Sequence, residues 1–197
     1  MNIGLYFGSF NPIHIGHLII AKHIINEGLL DEIWFVISPQ NPFKNSSVLL
    51  NEQHRLSLVK TAIDAEPKLK ASNIEFKLPR PSYTIDTLTY LVEKYPKNNF
   101  TIVMGSDGFQ NINKWKNASE LIKNFKILVY NRPGFLISET HNADFSIIDA
   151  PLLEISSTHI RKLIKEKKSI RYLVTDKVKE EIEINQYYKS VLENPSE

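Results

Sequence analysis

Short apolar runs alternate along this chain with longer stretches in which apolar residues return every three or four positions. The short runs suit strands buried in a sheet, and the longer period suits helices with one face against a core. Strands are therefore expected at Ile3 to Phe7, Glu32 to Ile37, Phe100 to Met104 and Phe125 to Tyr130, with shorter ones at Ile74 to Phe76 and Phe145 to Ile148. Leu152 to Ile155 closes the last strand region. Helical spacing runs from Leu18 to Ile25, from Asn51 through Val59, from Ser82 through Leu91 and Val92, from Ser156 through Arg161, and through Val178 and Ile182. Asn51 is the expected cap of the second helix, and Ser82 or Thr84 that of the third. Strands separated by one helix each predict β-α-β units and an α/β fold with parallel strands. The polar stretch 135–144 reads as a surface loop, and His141 within it carries no assignment.

Composition narrows the functional classes. The 197 residues suit one well-buried domain, expected over 1–188, with 189–197 as a loose tail. Cysteine is absent, which excludes disulfides, thiolate catalysis and thiolate-bound zinc. A formal charge of +2 and a pI near 8.6 are too mild to point to nucleic acid. No apolar stretch approaches the roughly 20 residues of a membrane helix. The first apolar segment has no basic residues before it, so the expectation is a soluble cytoplasmic protein without a membrane partner.

The chemistry concentrates where the first strand meets the first helix, in Gly8-Ser9-Phe10-Asn11-Pro12-Ile13-His14-Ile15-Gly16-His17. Such a turn delivers unpaired N–H groups and a partial positive charge, which suits phosphate. Gly8, Ser9 and Gly16 are small enough to admit a polyanion, and Pro12 stops the strand. His14 and His17, three apart, share one face, so both imidazoles can donate to phosphate oxygens. Neither G-x-G-x-x-G nor the P-loop pattern occurs. Other polar groups also fall at strand ends or helix starts. Ser156, Ser157 and Thr158 either cap a helix or bind an anion, with Arg161 one turn further on. Arg132 follows a strand, where its guanidinium can hold a phosphate through two bonds. Trp115 lies between Lys114 and Lys116, which favours an exposed ring over plain core. Lys44, the only cation of its loop, reads as solvated on spacing alone, and Arg55 reads as structural. Asn11 lacks an acidic group and is given no catalytic role.

The decapeptide, together with Ile155-Ser156-Ser157-Thr158-His159-Ile160-Arg161 far downstream, resembles the H-x-G-H nucleotidyltransferase superfamily, and within it the bacterial nicotinate-nucleotide adenylyltransferases. Pro81-Ser82-Tyr83-Thr84-Ile85-Asp86-Thr87-Leu88 is similar to a segment of the same enzymes. The resemblance implies a Rossmann-like, doubly wound, mostly parallel sheet flanked by helices. It also implies transfer of AMP from ATP to nicotinate mononucleotide, releasing pyrophosphate. On that basis His14, His17, Lys44 and Arg161 are the expected catalytic set. Gly8, Ser9, Phe10, Gly16, Gly105, Asp107, Ser156, Ser157 and Thr158 are expected at ATP, with Asp107 near the ribose. Tyr83, Thr84, Trp115 and Arg132 are expected at the mononucleotide, with amides near Thr84 meeting the nicotinate carboxylate and Trp115 stacking on the pyridine. Mg²⁺ is expected to travel on the ATP phosphates, with no protein metal site. A homo-oligomer is compatible with the chain. Rival readings are the same chemistry on nicotinamide mononucleotide or phosphopantetheine, and a nucleotide sensor without activity.

Overall fold

The structure is a computed structural model and describes residues 1–40, 49–151 and 153–189. Six strands, β1 (Asn2–Gly8), β2 (Glu32–Ile37), β3 (Leu69–Ser72), β4 (Asn99–Gly105), β5 (Lys126–Tyr130) and β6 (Phe145–Ile148), form one sheet ordered β3-β2-β1-β4-β5-β6. Every pairing is parallel. Around the sheet lie α1 (Ile15–Asn26), α2 (Glu52–Ile63), α3 (Thr84–Lys94), the single turn α4 (Ser106–Phe109), α5 (Ala118–Asn124), α6 (Ser157–Lys165) and α7 (Asp176–Ile184). This is the expected Rossmann-like, doubly wound arrangement, and the winding direction reverses between β1 and β4.

Alternation along the strands divides the core into two layers. Ile3 and Leu5 of β1 face one layer with Ile102, Ile127 and Val129, where Leu88 and Leu91 of α3 and Leu121 of α5 cover them. Tyr6 faces the other with Phe35, Val103 and Leu128, under Ile24 of α1, Val59 of α2, Ile160 of α6 and Val178 of α7. Burial on both faces explains the continuous apolar runs that made these strands readable. Asn51, Ser156 and Thr175 accept from Gln53, His159 and Val178 amides and so cap α2, α6 and α7. Among the described residues no helix is long and apolar enough to cross a membrane.

Three expectations fail, the first being that the last strand region ends at Ile148, with residues 153–155 in no strand. The third strand is Leu69–Ser72, and Ile74–Lys77 forms a 3₁₀ turn instead of a strand. A strand would send Ile74 and Glu75 to opposite faces, whereas here both are buried because hydroxyls draw the Glu75 carboxylate inward. The start of α3 has no side-chain cap: the Ser82 hydroxyl donates to Glu75, and Tyr83 occupies the capping position.

Candidate active site

One cavity of about 510 Å³ opens beyond the carboxyl ends of the strands, lined by Gly8 at the end of β1 and Gly105 at the end of β4. It lies where the winding reverses, the usual ligand position in open parallel sheets.

On one wall is the turn from β1 into α1. His14 occupies the position before α1 in an extended conformation, and its ring stacks on His17 with centroids 3.7 Å apart. The His14 amide donates to Nδ1 of His17 at 3.3 Å, which assigns the His17 proton to Nε2. His14 is 5% exposed and its Nδ1 has no hydrogen-bond partner. Burial, helped by the Arg132 charge, lowers its pKa from 6.5 to about 4. Both rings line the cavity, and His14 is a neutral imidazole at pH 7. Gly8 leaves room for a ring: a Cβ there would sit 2.8 Å from Cζ of Phe10. Phe10, held at a φ of 46°, turns its buried ring edge-on to Tyr6, Phe35 and His17. Gly16 likewise faces the His14 ring: a Cβ there would sit 3.1 Å from Nδ1.

The start of α6 is pinned to this same turn. Ser157 Oγ donates to the Pro12 carbonyl at 2.8 Å. Arg161 Nη1 donates to the Asn11 carbonyl at 2.8 Å, and Nη2 to Thr158 Oγ1 at 3.3 Å. Two motifs separated by most of the chain therefore meet, and His14, His17 and Arg161 line a single cavity. Behind them Arg55 is fully buried and donates to the carbonyls of Ser9, Ser38, Pro39 and Leu50. Its role is structural through carbonyls and not through a paired acid: it braces the loops that leave β1 and β2.

The opposite wall contains Tyr83 and Thr84 at the start of α3, together with Trp115 and Lys116. Lys116 bonds both Asp86 oxygens, at 3.0 and 2.8 Å, and its ammonium lies 4.7 Å from the centre of the Tyr83 ring. That ion pair ties the Trp115 segment to α3. Trp115 is half-buried, its ring packed against the α3 side of the core. Between the walls, Arg132 Nη1 pairs with Asp107 Oδ2 at 2.8 Å. Gly105 must lack a side chain here, because a Cβ would stand 2.5 Å from Asp107 Oδ1 and 2.9 Å from Arg132 Cδ.

Ser9, Phe10, Ser156, Ser157 and Thr158 also line the large cavity. Gly16 does not, and borders a small adjoining one of about 40 Å³. Lys44 lies outside the described residues. Sequence reasoning missed Glu75, Ser82 and Lys116, all on the cavity wall. A lone acid inside an apolar run, shortly before a Ser/Thr-rich helix start, was the available signal for Glu75. Among the described residues no group of three or more His, Cys, Asp or Glu side chains is placed to hold a metal ion.

A doubly wound sheet that sets an H-x-G-H turn against a serine-threonine helix start with its arginine is the architecture of a nucleotidyltransferase, and the chain belongs to the cytidylyltransferase-like family, whose model matches residues 5–163. Over 193 residues it is 48% identical to a Cytophaga hutchinsonii protein described as a probable nicotinate-nucleotide adenylyltransferase, covering 96% of this chain and 100% of that one. A Flavobacterium johnsoniae protein of the same description is 48% identical over 195 residues, with 96% and 100% covered. In structure the chain is similar to the nicotinic acid mononucleotide adenylyltransferase of Plasmodium falciparum complexed with NaAD. The TM-score is 0.82 at 25% identity, over 95% of this chain and 97% of that one.

Proposed function

We propose that the protein transfers AMP from ATP to nicotinate mononucleotide, forming nicotinate adenine dinucleotide and pyrophosphate. The observation that carries this reading is the convergence of His14, His17 and Arg161 with Trp115, Tyr83 and Thr84 on one cavity. The relatives' names and the likeness to an enzyme complexed with NaAD support the choice of acceptor.

In the proposed reaction an oxygen of the mononucleotide phosphate bonds to the α-phosphorus of ATP. The bond from that phosphorus to the bridging β-phosphate oxygen breaks, and pyrophosphate leaves with the electron pair. The attacking phosphate is already ionised near neutral pH, so no general base is required. The protein supplies position and compensating charge. His14 and His17 act as N–H donors to the phosphates, Arg161 adds a fixed positive charge, and Lys44 is assigned beside it by resemblance. Gly8, Ser9, Phe10, Gly105, Asp107, Ser156, Ser157 and Thr158 are assigned to the ATP side by resemblance, with Gly16 behind the His14 ring. Arg132 is assigned to the mononucleotide phosphate and Trp115 to its pyridine ring, while amides at the start of α3 take the carboxylate. The described acidic side chains do not fit a resident metal, since Asp107 is already paired with Arg132. Mg²⁺ is accordingly assigned to the substrate as MgATP, bound through phosphate oxygens. Residues 1–188 are taken as the catalytic unit, working in the cytoplasm.

Incubation with MgATP and each acceptor in turn, scored by pyrophosphate release, tests this. Fast release with nicotinate mononucleotide and slow release with nicotinamide mononucleotide or phosphopantetheine is expected. Release favouring another acceptor overturns the substrate, and release with none leaves a binding protein.

A further inference from the structure

Glu75 is 2% exposed and its carboxylate oxygens are held by hydroxyls. Ser82 donates to one at 2.8 Å and Thr87 to the other at 3.0 Å, and Ser38 adds a third hydroxyl. Burial raises its pKa against the opposing pull of these bonds. An apolar residue of similar volume would fill this space without desolvating a carboxylate, so the group does more than fill it.

Its partners indicate what. Ser82 stands immediately before Tyr83, the residue at the capping position of α3, and so carries a hydroxyl beside the amides of the first turn. Asp86, at the third helical position, is the other side chain able to reach back to them. Glu75 takes the Ser82 hydroxyl and Lys116 takes the Asp86 carboxylate. α3 therefore begins without a side-chain cap, and it begins on the cavity wall, at Tyr83 and Thr84.

We propose that Glu75 is a positioning residue for acceptor binding: by holding Ser82 and Thr87 it keeps the first turn of α3 rigid and open to the acceptor's anionic group. This rests on the assignment of that turn to nicotinate mononucleotide. Glu75→Met conserves bulk and releases the hydroxyls, freeing Ser82 to cap the helix. The KM for nicotinate mononucleotide should rise about tenfold while kcat and the KM for ATP stay within about twofold, the pattern of a lost binding interaction. Glu75→Gln, which keeps one acceptor oxygen, should fall between. Ser82→Ala in the Glu75→Met background should lower the mononucleotide KM again by removing the competing cap, a rescue that general damage to the core would not give. Should Glu75→Met not fold, by circular dichroism, the Gln variant with and without Ser82→Ala is read in the same way. Unchanged mononucleotide KM, equal rises for both substrates, or no rescue overturns the role of Glu75. A wild-type enzyme that ignores nicotinate mononucleotide overturns instead the reading on which it rests.

Discussion

Replacing Arg55 with methionine tests whether the floor of the site depends on one buried cation. The guanidinium is fully buried and donates to Leu50 O from Nε at 2.8 Å, to Ser9 O and Ser38 O from Nη1 at 2.6 and 2.8 Å, and to Pro39 O from Nη2 at 3.0 Å. Methionine fills the stem and offers no donor. Each carbonyl stranded in the interior costs about 1–3 kcal/mol, so these acceptors together give a gross loss of about 4–12 kcal/mol. Against this stands relief of the charge's own desolvation, which lowers the Arg55 pKa to about 10 and is worth roughly 3 kcal/mol. Some carbonyls also turn toward solvent. A net loss of about 3–5 kcal/mol follows, as for other broken buried charge networks. For a chain of this length that lowers Tm by roughly 10 °C. Thermal unfolding followed by far-UV circular dichroism, with both proteins in the same buffer, measures it. A fall of less than about 3 °C refutes the brace, because the carbonyls would then have found other partners at little cost.

Other consequences are equally specific. His14 has a folded pKa of about 4 against an ordinary 6.5, so on acidification the unfolded chain takes up the proton first. Its contribution is complete above about pH 6.5 and is lost as pH falls through 4, on the order of 3 kcal/mol in all. Urea unfolding at pH 7 and pH 4.5 should show part of this loss in the wild type and less in His14→Gln. His17→Ala should lower kcat by about 10²–10³ with Tm nearly unchanged, since it removes a donor from the reacting phosphates; steady-state kinetics beside a thermal melt decides. Trp115→Ala should raise the KM for nicotinate mononucleotide about tenfold or more and leave the KM for ATP alone, because a stacked ring is worth about 1–3 kcal/mol.

Much of the fold was legible because β1, β2, β4 and β5 are buried on both faces, so their sequences are nearly unbroken apolar runs. β3 was not, since Leu69-Lys70-Ala71-Ser72 holds a single large apolar residue at the edge of the sheet. The neighbouring Ile74 and Phe76 imitate a strand, and hydroxyls distant in sequence, Ser82, Thr87 and Ser38, explain why that acid turns inward. Candidate site residues were readable where a local turn groups them, as at His14 and His17 or at Ser156 to Arg161. Pairings across long separations were not: Lys116 with Asp86, or Arg55 with carbonyls from two loops, leave no local trace. The expected cap of α3 failed for the same reason, because the Ser82 hydroxyl is oriented by donating to Glu75 and sequence spacing shows only the helix amides from which its oxygen could accept.

On the proposed reaction both substrates occupy the cavity shared by the β1–α1 turn, α6 and the start of α3. A crystal structure with nicotinate adenine dinucleotide tests it most directly. The bridging phosphates are expected within about 3.5 Å of His14 or His17 ring nitrogens and of Arg161, with the pyridine on Trp115 and its carboxylate at the Thr84 amide. A dinucleotide bound with its phosphates away from both imidazoles, or with its pyridine ring remote from Trp115, contradicts it.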